Sequence, residues 1–190
     1  MRIITGRYKG RRFDIPRTFK ARPTTDFAKE NIFNVLGHYV DLEGADALDL
    51  FSGTGSITLE LLSRGCRQVV SIESDRDHHR FIQQCVEKLR ATDHEPSADA
   101  TPGVVALRAD VFRYLKNCRQ QFDLVFADPP YALKELPGIP RLVLEGSLLK
   151  PGGIFVLEHG KDYDFSSEEL FVEHRAYGSV NFSIFIKYTE

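Results

Sequence analysis

The chain has 190 residues, of which 42% are hydrophobic and 27% charged, a composition typical of one large globular domain. The formal net charge is only −2, no apolar run approaches the roughly 18 residues that span a bilayer, and the first residues lack the apolar stretch of a secretory signal peptide. The three cysteines (Cys66, Cys85 and Cys118) have no CxxC spacing and are odd in number, so we expect free thiols and a cytoplasmic location rather than a disulfide framework.

The small net charge conceals an uneven distribution along the chain. Residues 1–22, the basic arm, carry eight basic residues against one acidic residue, Asp14, so the arm has a net charge of +7 and the remainder −9. A basic arm on an acidic body indicates a polyanionic partner that contacts this end of the chain. The alternative is that the arm is only a solvated charged surface.

The N-terminal residues predict a small structure that precedes the main domain. Residues 2–13 have the pattern of a short β-hairpin, with Ile3 before its turn and Phe13 after it. We therefore expect a basic N-terminal hairpin and linker in residues 1–24, followed by a domain in residues 25–190.

An α/β alternation follows the linker. Thr25 or Asp26 can cap a helix that runs to about Leu36, with Phe27 and Ile32 on its apolar face. Short apolar segments then alternate with helical patterns, which predicts a parallel sheet covered on both faces. The predicted strands are 47–51, 68–73, 104–107, 122–127 and 153–158, and the predicted helices are 56–63, 76–91, 111–118 and 142–149.

The end of the chain breaks this alternation. Residues 170–176 and 180–188 are two strand patterns without a helix between them, which predicts an antiparallel hairpin that closes the sheet. Residues 92–103 are polar and contain proline and glycine, so we expect a surface loop and assign it no chemistry.

A glycine-containing turn, DLFSGTGS at residues 49–56, connects the first strand of the alternation to its helix. Gly53 and Gly55 permit a tight turn and a close approach of a ligand to the backbone. Glu73 ends the next strand 20 positions after Gly53, where an acidic residue reaches ribose hydroxyls in dinucleotide sites. Thr58, however, occupies the position where the dinucleotide fingerprint requires a third glycine.

Two further carboxylates favour a cationic nucleoside over a dinucleotide. Asp49 lies just before the glycine turn, where it can pair with an ammonium group, and Asp110 follows the third strand, where it can accept from an adenine amino group. Together with Glu73 these residues fit S-adenosylmethionine. Each of them alone also fits an ordinary helix cap or strand end.

The segment FADPPY, residues 126–131, ends the fourth strand with a carboxylate, two prolines and an aromatic ring. Proline fixes its own φ and restricts the residue before it, so this segment is stiff. In a doubly wound sheet it lies beside the glycine turn. A carboxylate and a carbonyl that accept the two N–H bonds of an exocyclic amine would direct its lone pair to an incoming methyl group, while Tyr131 stacks on the base. The alternative is a diproline that only ends a strand.

These motifs, in this order, resemble the class I S-adenosylmethionine-dependent methyltransferases, and DPPY matches their amino-methylating branch. MRIITGRYKGRRFDIP, RPTTDFAKENIFNVLG and YGSVNFSIF are further similar to the bacterial 16S ribosomal RNA guanine-N2 methyltransferases of the RsmD group, over nearly the whole chain. The resemblance implies a Rossmann-like α/β fold, with a mostly parallel central sheet and a C-terminal antiparallel strand. It also implies methylation of one guanine amino group in a small-subunit RNA hairpin loop, within assembled protein–RNA particles.

The motifs and the resemblance together give three groups of expected site residues. The expected catalytic residues are Asp128, Pro129, Pro130 and Tyr131. The expected donor-binding residues are Asp49, Phe51, Ser52, Gly53, Thr54, Gly55, Glu73, Ser74, Asp110 and Val111. The expected RNA-binding residues are Arg2, Arg7, Lys9, Arg11, Arg12, Arg22, Pro23 and Thr24. The last three match the RPT segment that the resemblance places beside the active site. We expect a monomer without a metal ion, because the adjacent His78 and His79 have no cysteine or carboxylate set around them.

Three other functions remain as alternatives. A DNA amino-methyltransferase would use the same donor and a similar motif, but the chain beyond the core is too short for a sizeable target-recognition domain. A nicotinamide-dependent oxidoreductase would leave DPPY unexplained. A non-catalytic RNA-binding module would leave both the donor motif and DPPY unexplained.

Overall fold

The computed structural model describes residues 1–19, 24–92 and 103–188, and within them the predicted alternation of strands and helices is confirmed. The helices are α1 (Asp26–Leu36), α2 (Ser56–Ser63), α3 (Arg76–Arg90), α4 (Val111–Asn117) and α5 (Ile139–Leu144), with a 3-10 turn at Leu136–Gly138. The strands are β1 (Asp46–Leu50), β2 (Gln68–Glu73), β3 (Val104–Arg108), β4 (Phe122–Ala127), β5 (Leu149–His159), β6 (Phe171–Tyr177) and β7 (Val180–Ile186).

The seven strands of the described ranges form one sheet in the order β3-β2-β1-β4-β5-β7-β6. Strands β1 to β5 are parallel to one another, and β7 is antiparallel to β5 and β6. The predicted α/β fold, mostly parallel with an antiparallel C-terminal end, is therefore confirmed. The last strand lies between β5 and β6 rather than at the edge of the sheet.

The sheet order brings the ends of three strands together. Leu50, the last residue of β1, lies beside Ile72 of β2 and Ala127 of β4. The residues that follow these strands therefore meet at one edge, called here the carboxyl edge. The strand order reverses between β1 and β4, which is where open α/β sheets bind their ligands.

Strands β1, β2 and β4 are buried along almost their whole length because helices cover both faces of the sheet. One apolar cluster packs α1, α2 and α3 on one face, and a second cluster packs α4 and α5 on the other. The three cysteines are free thiols, and burial raises the pKa of Cys66 and Cys85 to about 12, so these two remain protonated. In the described part of the chain, none of the helices has the length and apolar character to cross a membrane.

The basic arm folds back on itself, but the predicted β-hairpin is not confirmed. Arg2 and Arg12 form an isolated antiparallel bridge, and residues 1–19 contain no continuous strand. The two halves of the arm share backbone hydrogen bonds, such as that from the N–H of Ile3 to the carbonyl of Arg11 at 3.0 Å, and in the turn the N–H of Arg7 donates to the carbonyl of Ser63 in α2 at 2.7 Å. A Cβ atom on Gly6 would lie 1.8 Å from the same carbonyl oxygen, so the turn is pressed against the helix.

A buried ion pair attaches the basic arm to α1 and α2. Glu60, which is fully buried in α2, accepts N–H bonds from Ile4 at 2.8 Å and Thr5 at 3.0 Å. The Nζ atom of Lys29 lies 3.5 Å from the Glu60 carboxylate and donates to the carbonyl of Arg2 at 2.6 Å. Burial lowers the pKa of Lys29, and the neighbouring Glu60 charge opposes this shift.

The domain boundary at residue 24 stays a prediction.

Strand β5 starts earlier than its sequence indicated. The prediction of a helix over 142–149 is wrong at its end, because α5 stops at Leu144 and Leu149 already pairs with Phe122 of β4. The proline and glycines after Lys150 suggested a break, yet they form an irregularity within the strand. A Cβ atom on Gly153 would lie 2.8 Å from the Lys150 carbonyl oxygen, so only glycine permits this path.

Candidate active site

The glycine turn after β1 has the backbone that its sequence predicts. Phe51, Gly53 and Gly55 have φ values of 60°, 53° and 79°. A Cβ atom on Gly55 would lie 2.8 Å from Cγ1 of Ile82 in α3, so this glycine lets the loop and the helix approach closely. The hydroxyl of Ser52 donates to the carbonyl of Asp49 at 2.8 Å, which ties the loop to the end of β1.

Glu73 braces this loop from the end of β2. Its Oε2 atom accepts from the N–H of Gly53 at 2.7 Å, and its Oε1 atom accepts from the N–H of Asp75 at 2.7 Å. The residue is 9% exposed, and each carboxylate oxygen keeps a further lone pair for a ligand hydroxyl. Because the Gly53 N–H already binds a carboxylate, this loop is poorly suited to a pyrophosphate.

Asp49 lies beneath the loop, and its partner is a residue that the sequence analysis treated only as a missing glycine. The hydroxyl of Thr58 donates to Oδ2 of Asp49 at 2.5 Å. Asp49 is 1% exposed, and burial raises its pKa from 3.8 to about 7, although the hydrogen bond from Thr58 works in the opposite direction. An ammonium group placed nearby would restore its negative charge.

Asp110 is exposed at the carboxyl edge and caps α4. Its Oδ1 atom accepts from the N–H of Arg113 at 2.9 Å, so one of its two carboxylate oxygens serves as the helix cap. Phe51 and Phe112 make an edge-on aromatic contact, with ring centroids 6.1 Å apart. Among the other expected donor-binding residues, Thr54 and Val111 are buried and Ser74 is exposed.

The DPPY segment lies beside the glycine turn, as predicted. The N–H of Asp128 donates to the carbonyl of Leu50 at 3.3 Å, which continues the pairing of β4 with β1. Pro129 is buried and Pro130 is exposed. Asp128 lies close enough to Asp49 at the switch point of the sheet for the negative charge of Asp49 to raise the pKa of Asp128.

Asp128 belongs to a cluster of polar side chains in which Thr24 and Tyr131 were expected at or beside the active site and Glu158 was not. The hydroxyl of Thr24 lies 3.0 Å from Oε2 of Glu158 and 3.4 Å from Oδ2 of Asp128. The hydroxyl of Tyr131 donates to Oε1 of Glu158 at 2.8 Å. Glu158 is 4% exposed.

Glu158 is a residue whose place in this pocket the motifs missed. An acid at a strand end has no signature of its own, so the sequence favoured a structural role for Glu158 over a catalytic one. The signal was available only through register: Ala127 pairs with Leu157, so the next residues of β4 and β5, Asp128 and Glu158, are neighbours.

The environment of this cluster raises the pKa of every titratable member. Burial, followed by the negative charge of Glu158, holds the pKa of Asp128 well above its usual value. Burial also raises the pKa of Glu158, although the Tyr131 and Thr24 hydroxyls oppose the shift. Burial and the Glu158 charge raise the pKa of the Tyr131 phenol, which therefore stays a hydrogen-bond donor.

The ring of Tyr131 is fixed by its surroundings but remains accessible. A Cβ atom on Gly160 would lie 3.3 Å from Cδ2 of Tyr131, so the ring packs closely over a glycine. The hydroxyl of Tyr163 donates to the carbonyl of Tyr131 at 3.1 Å. The residue is 39% exposed, which leaves part of the ring available to a planar ligand.

The predicted RNA-binding residues divide into three groups. Arg22 and Pro23 lie outside the described residues. Thr24 is buried in the polar cluster, so it does not offer a surface for RNA. The remaining residues lie on the basic arm: Arg7, Lys9, Arg11 and Arg12 are exposed, and Arg2 pairs with Asp26 at 3.0 Å.

A metal site does not account for the histidines. His78 packs edge-on against Phe19 with ring centroids 4.3 Å apart, and Nε2 of His79 lies 3.2 Å from the carbonyl of Ala106. In the ranges that the structure covers, no group of three or more histidine, cysteine, aspartate or glutamate side chains is placed to hold a metal ion.

A comparison with known protein families places the chain. The model of the family described as conserved hypothetical protein 95 matches residues 1–186. The chain belongs to this family. YlbH of Bacillus subtilis is 30% identical to it over 98% of this chain and 99% of the relative. Ribosomal RNA small subunit methyltransferase D of Haemophilus influenzae is 27% identical over 97% of this chain and 93% of the relative, and the resemblance to the RsmD group is thereby confirmed.

Solved structures of other proteins share the fold of this member of the conserved hypothetical protein 95 family. YhhF of Escherichia coli superposes with a TM-score of 0.82 at 24% identity, covering 100% of this chain and 99% of that one. The Thermus thermophilus 16S rRNA N2 G1207 methyltransferase, solved with AdoMet and guanosine, superposes with a TM-score of 0.67 at 22% identity, covering 90% of this chain and 44% of that one. At these identities the likeness shows the fold.

Proposed function

We propose that this protein transfers a methyl group from S-adenosylmethionine to the exocyclic N2 amino group of a guanine in small-subunit ribosomal RNA. The observation that carries the proposal is the position of Asp128, which the pairing of β4 with β1 places beside the glycine turn. The relative from Haemophilus influenzae, named for methylation of small-subunit ribosomal RNA, supports this class of substrate.

The carboxyl edge offers a set of acidic groups that fits the donor. S-adenosylmethionine supplies, when bound, a methyl group on a positively charged sulfonium that leaves as a neutral thioether. In this proposal Glu73 binds the ribose hydroxyls, Asp110 accepts from the adenine amino group and Asp49 pairs with the ammonium group. The buried, partly protonated Asp49 supports a cationic ligand, because the described residues that shift its pKa, Thr58, Ser52 and Glu73, include no basic group.

Asp128 acts on the acceptor amine. The lone pair of an exocyclic amine is delocalised into the base, so the amine is a weak nucleophile. Asp128 accepts one N–H bond and the backbone carbonyl of Pro129 accepts the other, which directs the lone pair to the methyl group. Because the diproline restricts this backbone, little entropy is lost when the amine is aligned.

Tyr131 holds the base in the pocket. A guanine must leave its stack to reach Asp128, and extrusion costs a few kcal/mol, less in a loop than in a duplex. Stacking on the exposed part of the Tyr131 ring offsets that cost by about 1–3 kcal/mol. A hairpin-loop guanine in an assembled small-subunit particle is therefore the target that we favour.

Mapping of the methylated nucleoside tests this function. Purified protein and labelled donor are incubated with small-subunit particles and with free 16S RNA that lack the modification, and the nucleosides are separated by mass. We expect N2-methylguanosine at one position, and its absence from the Asp128→Ala reaction while donor affinity stays within a few-fold. Methylated adenine or cytosine in DNA would instead support the DNA methyltransferase alternative, and binding of NAD in place of the donor would support the oxidoreductase.

A further inference from the structure

Two carboxyl groups from neighbouring strands share one pocket at the carboxyl edge. Asp128 follows β4 and Glu158 lies beside it in β5, because Ala127 pairs with Leu157, and the charge of Glu158 raises the pKa of Asp128. A single hydroxyl, that of Thr24, lies 3.0 Å from Glu158 and 3.4 Å from Asp128. Two carboxylates this close do not both ionise, so the pair holds one proton.

The hydrogen bonds determine which member of the pair carries that proton. Glu158 receives a donated hydroxyl hydrogen on each oxygen, from Tyr131 at 2.8 Å and from Thr24 at 3.0 Å. Donors of this kind stabilise the ionised form of a carboxyl group. Asp128 has only the longer contact to Thr24 among the described side chains, so the hydrogen bonds favour Asp128 as the group that holds the shared proton.

We infer that Glu158 is the terminal proton acceptor of the methyl-transfer reaction and that Asp128 relays the proton to it. Glu158 is thus a positioning residue that acts through Asp128 without touching the base. The inference rests on the proposed function, because it concerns the proton that methylation of an amine releases. It assigns a task to a residue whose position in the sequence suggested none.

The step balances in atoms and charge. The guanine N2 atom forms a bond to the methyl carbon while the carbon–sulfur bond breaks and its electron pair goes to sulfur. The N2 proton moves to the free oxygen of Asp128, and the proton already on Asp128 moves to Glu158. The carboxyl pair changes from a charge of −1 to neutral while the sulfonium loses its +1 charge, so the net charge of the buried pocket is constant.

The surroundings of the pair support this role. Three described residues shift the pKa of Asp128: Glu158 from β5, Asp49 from β1 and Thr24 before α1. Tyr131, from the DPPY segment itself, acts on Glu158. Burial and the negative charges of Glu158 and Asp49 raise the pKa of Asp128, which keeps the first proton on the pair. Burial also raises the pKa of Glu158, which makes it a stronger base toward the second proton than an exposed carboxylate.

Glu158→Gln tests the relay, because the amide preserves the shape and can still accept from Tyr131 or Thr24. Single-turnover methyl transfer to RNA is measured against pH for the parent, Glu158→Gln and Asp128→Asn. We expect Glu158→Gln to lower the rate by about 10²-fold or more, in the range of general-base catalysis, while donor and RNA affinities stay within a few-fold. The rate of the parent should rise with pH through a titration step. This step should be missing from the pH profile of Glu158→Gln.

A measurement without turnover reads the proton directly. Carboxyl carbons of Asp and Glu are ¹³C-labelled and titrated by NMR in the free protein. Removal of the Glu158 charge should move the Asp128 titration to lower pH. Glu173→Gln, which alters a carboxylate paired with Arg175 on β6, is the matched control and should leave both the titration and the rate unchanged.

Tyr131→Phe separates the relay from a merely structural role, because it removes a hydrogen bond to Glu158 without removing its charge. If Glu158 only supports Tyr131, then Glu158→Gln and Tyr131→Phe will lower the rate equally and keep the parental pH profile, and the relay is wrong. An Asp128 titration that Glu158→Gln does not move would also overturn it. Failure of the proposed function is distinct: the parent would then transfer no methyl group to guanine, whereas the NMR titration would still show the shared proton.

Discussion

Burial beneath the glycine turn makes Asp49 a carboxyl group that titrates close to neutral pH. Its pKa of about 7 lies above the ordinary value of 3.8, so between these values the folded protein binds a proton that the unfolded chain releases. Folding stability from this group is present at low pH and is lost as the pH rises through about 7. The sign is opposite to that of a carboxylate held by a salt bridge.

The first prediction follows from this sign. Where only the folded state is protonated, a single group changes the free energy of unfolding by about 1.4 kcal/mol per pH unit. We measure the free energy of unfolding in urea for the donor-free parent and for Asp49→Asn at pH 5, 6, 7 and 8. Between pH 5 and 7 the free energy should fall with pH less steeply in Asp49→Asn than in the parent, by about this slope. Equal slopes in the two proteins would show that Asp49 is ionised throughout.

The second prediction concerns Glu73. Glu73→Ala removes a charge-assisted hydrogen bond to the donor, which is worth about 1.5–3 kcal/mol, or roughly 10–200-fold in affinity. Calorimetric titration with S-adenosylmethionine measures the loss. Asp75→Ala is the matched control, because it keeps the backbone N–H that donates to Glu73 and removes only the side chain that caps α3. It should lower stability with little change in donor affinity. Unchanged donor affinity in Glu73→Ala would refute its assignment.

At the scale of elements, two separate constraints require glycine at position 55 in the turn that joins β1 to α2. Its φ of 79° is in the left-handed region, and α3 approaches so closely that a Cβ atom would contact Ile82. The first constraint is a property of the turn, whereas the second belongs to the packing of the helix. Both also shape the surface that the donor would meet.

The third prediction separates these two constraints. Gly55→Ala should lower the free energy of unfolding by more than the about 1–2 kcal/mol that the left-handed conformation costs, and it should weaken donor binding. Gly152→Ala is the matched control, because Gly152 has a φ of 77° but no atom within 4 Å of the added Cβ. It should show the conformational cost alone. Equal losses of stability and equal donor affinity in the two variants would contradict a steric role for Ile82.

The elements that were predicted correctly are those whose signal is local. Apolar runs fixed the bounds of β2 and β4, and α2 followed directly from the glycine turn. Packing between distant segments was not readable. Phe27, predicted on the apolar face of α1, is 65% exposed and contacts Tyr177 of β6 edge-on. The basic arm folds back on itself through an isolated bridge between Arg2 and Arg12, and the contact of its turn with α2 had no signal in the sequence.

The candidate site shows the same division between local and distant signals. Asp128 and Glu73 were predictable because each belongs to a motif with a fixed spacing. Thr24, in contrast, is separated from Asp128 by 104 positions and from Glu158 by 134, and only the sheet order brings the three together. A buried carboxyl pair therefore had no signature in the sequence, although each of its members was visible.

At the scale of the whole molecule, the described part of the basic arm extends from the carboxyl edge toward the end of the sheet where the parallel strands begin. Its base lies near the carboxyl edge, since Arg2 pairs with Asp26 in the first turn of α1. Its tip lies at the far end of α2, since Arg7 binds the carbonyl of Ser63. The eight residues of α2 span about 12 Å, so tip and base would meet different parts of a bound RNA.

The fourth prediction uses this separation. Arg11→Ala/Arg12→Ala at the base and Arg7→Ala/Lys9→Ala at the tip are compared for binding to a minimal RNA hairpin and to one with a longer stem. Each lost phosphate contact should reduce the slope of log affinity against log salt by about 0.7–0.9. The base variant should weaken binding of both RNAs. The tip variant should weaken binding of the longer RNA only, because the minimal hairpin does not extend that far from the pocket.

Lys116→Ala/Arg119→Ala serves as the control for charge alone, because both residues are exposed at the end of α4, which packs on the other face of the sheet. It removes the same two charges and should leave both salt slopes close to those of the parent. Donor affinity should not change in any of the three variants, since the substituted residues are exposed and belong neither to the glycine turn nor to the acidic groups of the proposed donor site. If the base and tip variants keep the parental slopes as the control does, the arm is a solvated surface, and RNA must reach the DPPY pocket by contacts elsewhere. If both variants weaken both RNAs equally, the charge acts through its long-range field, and the arm does not measure the length of the stem.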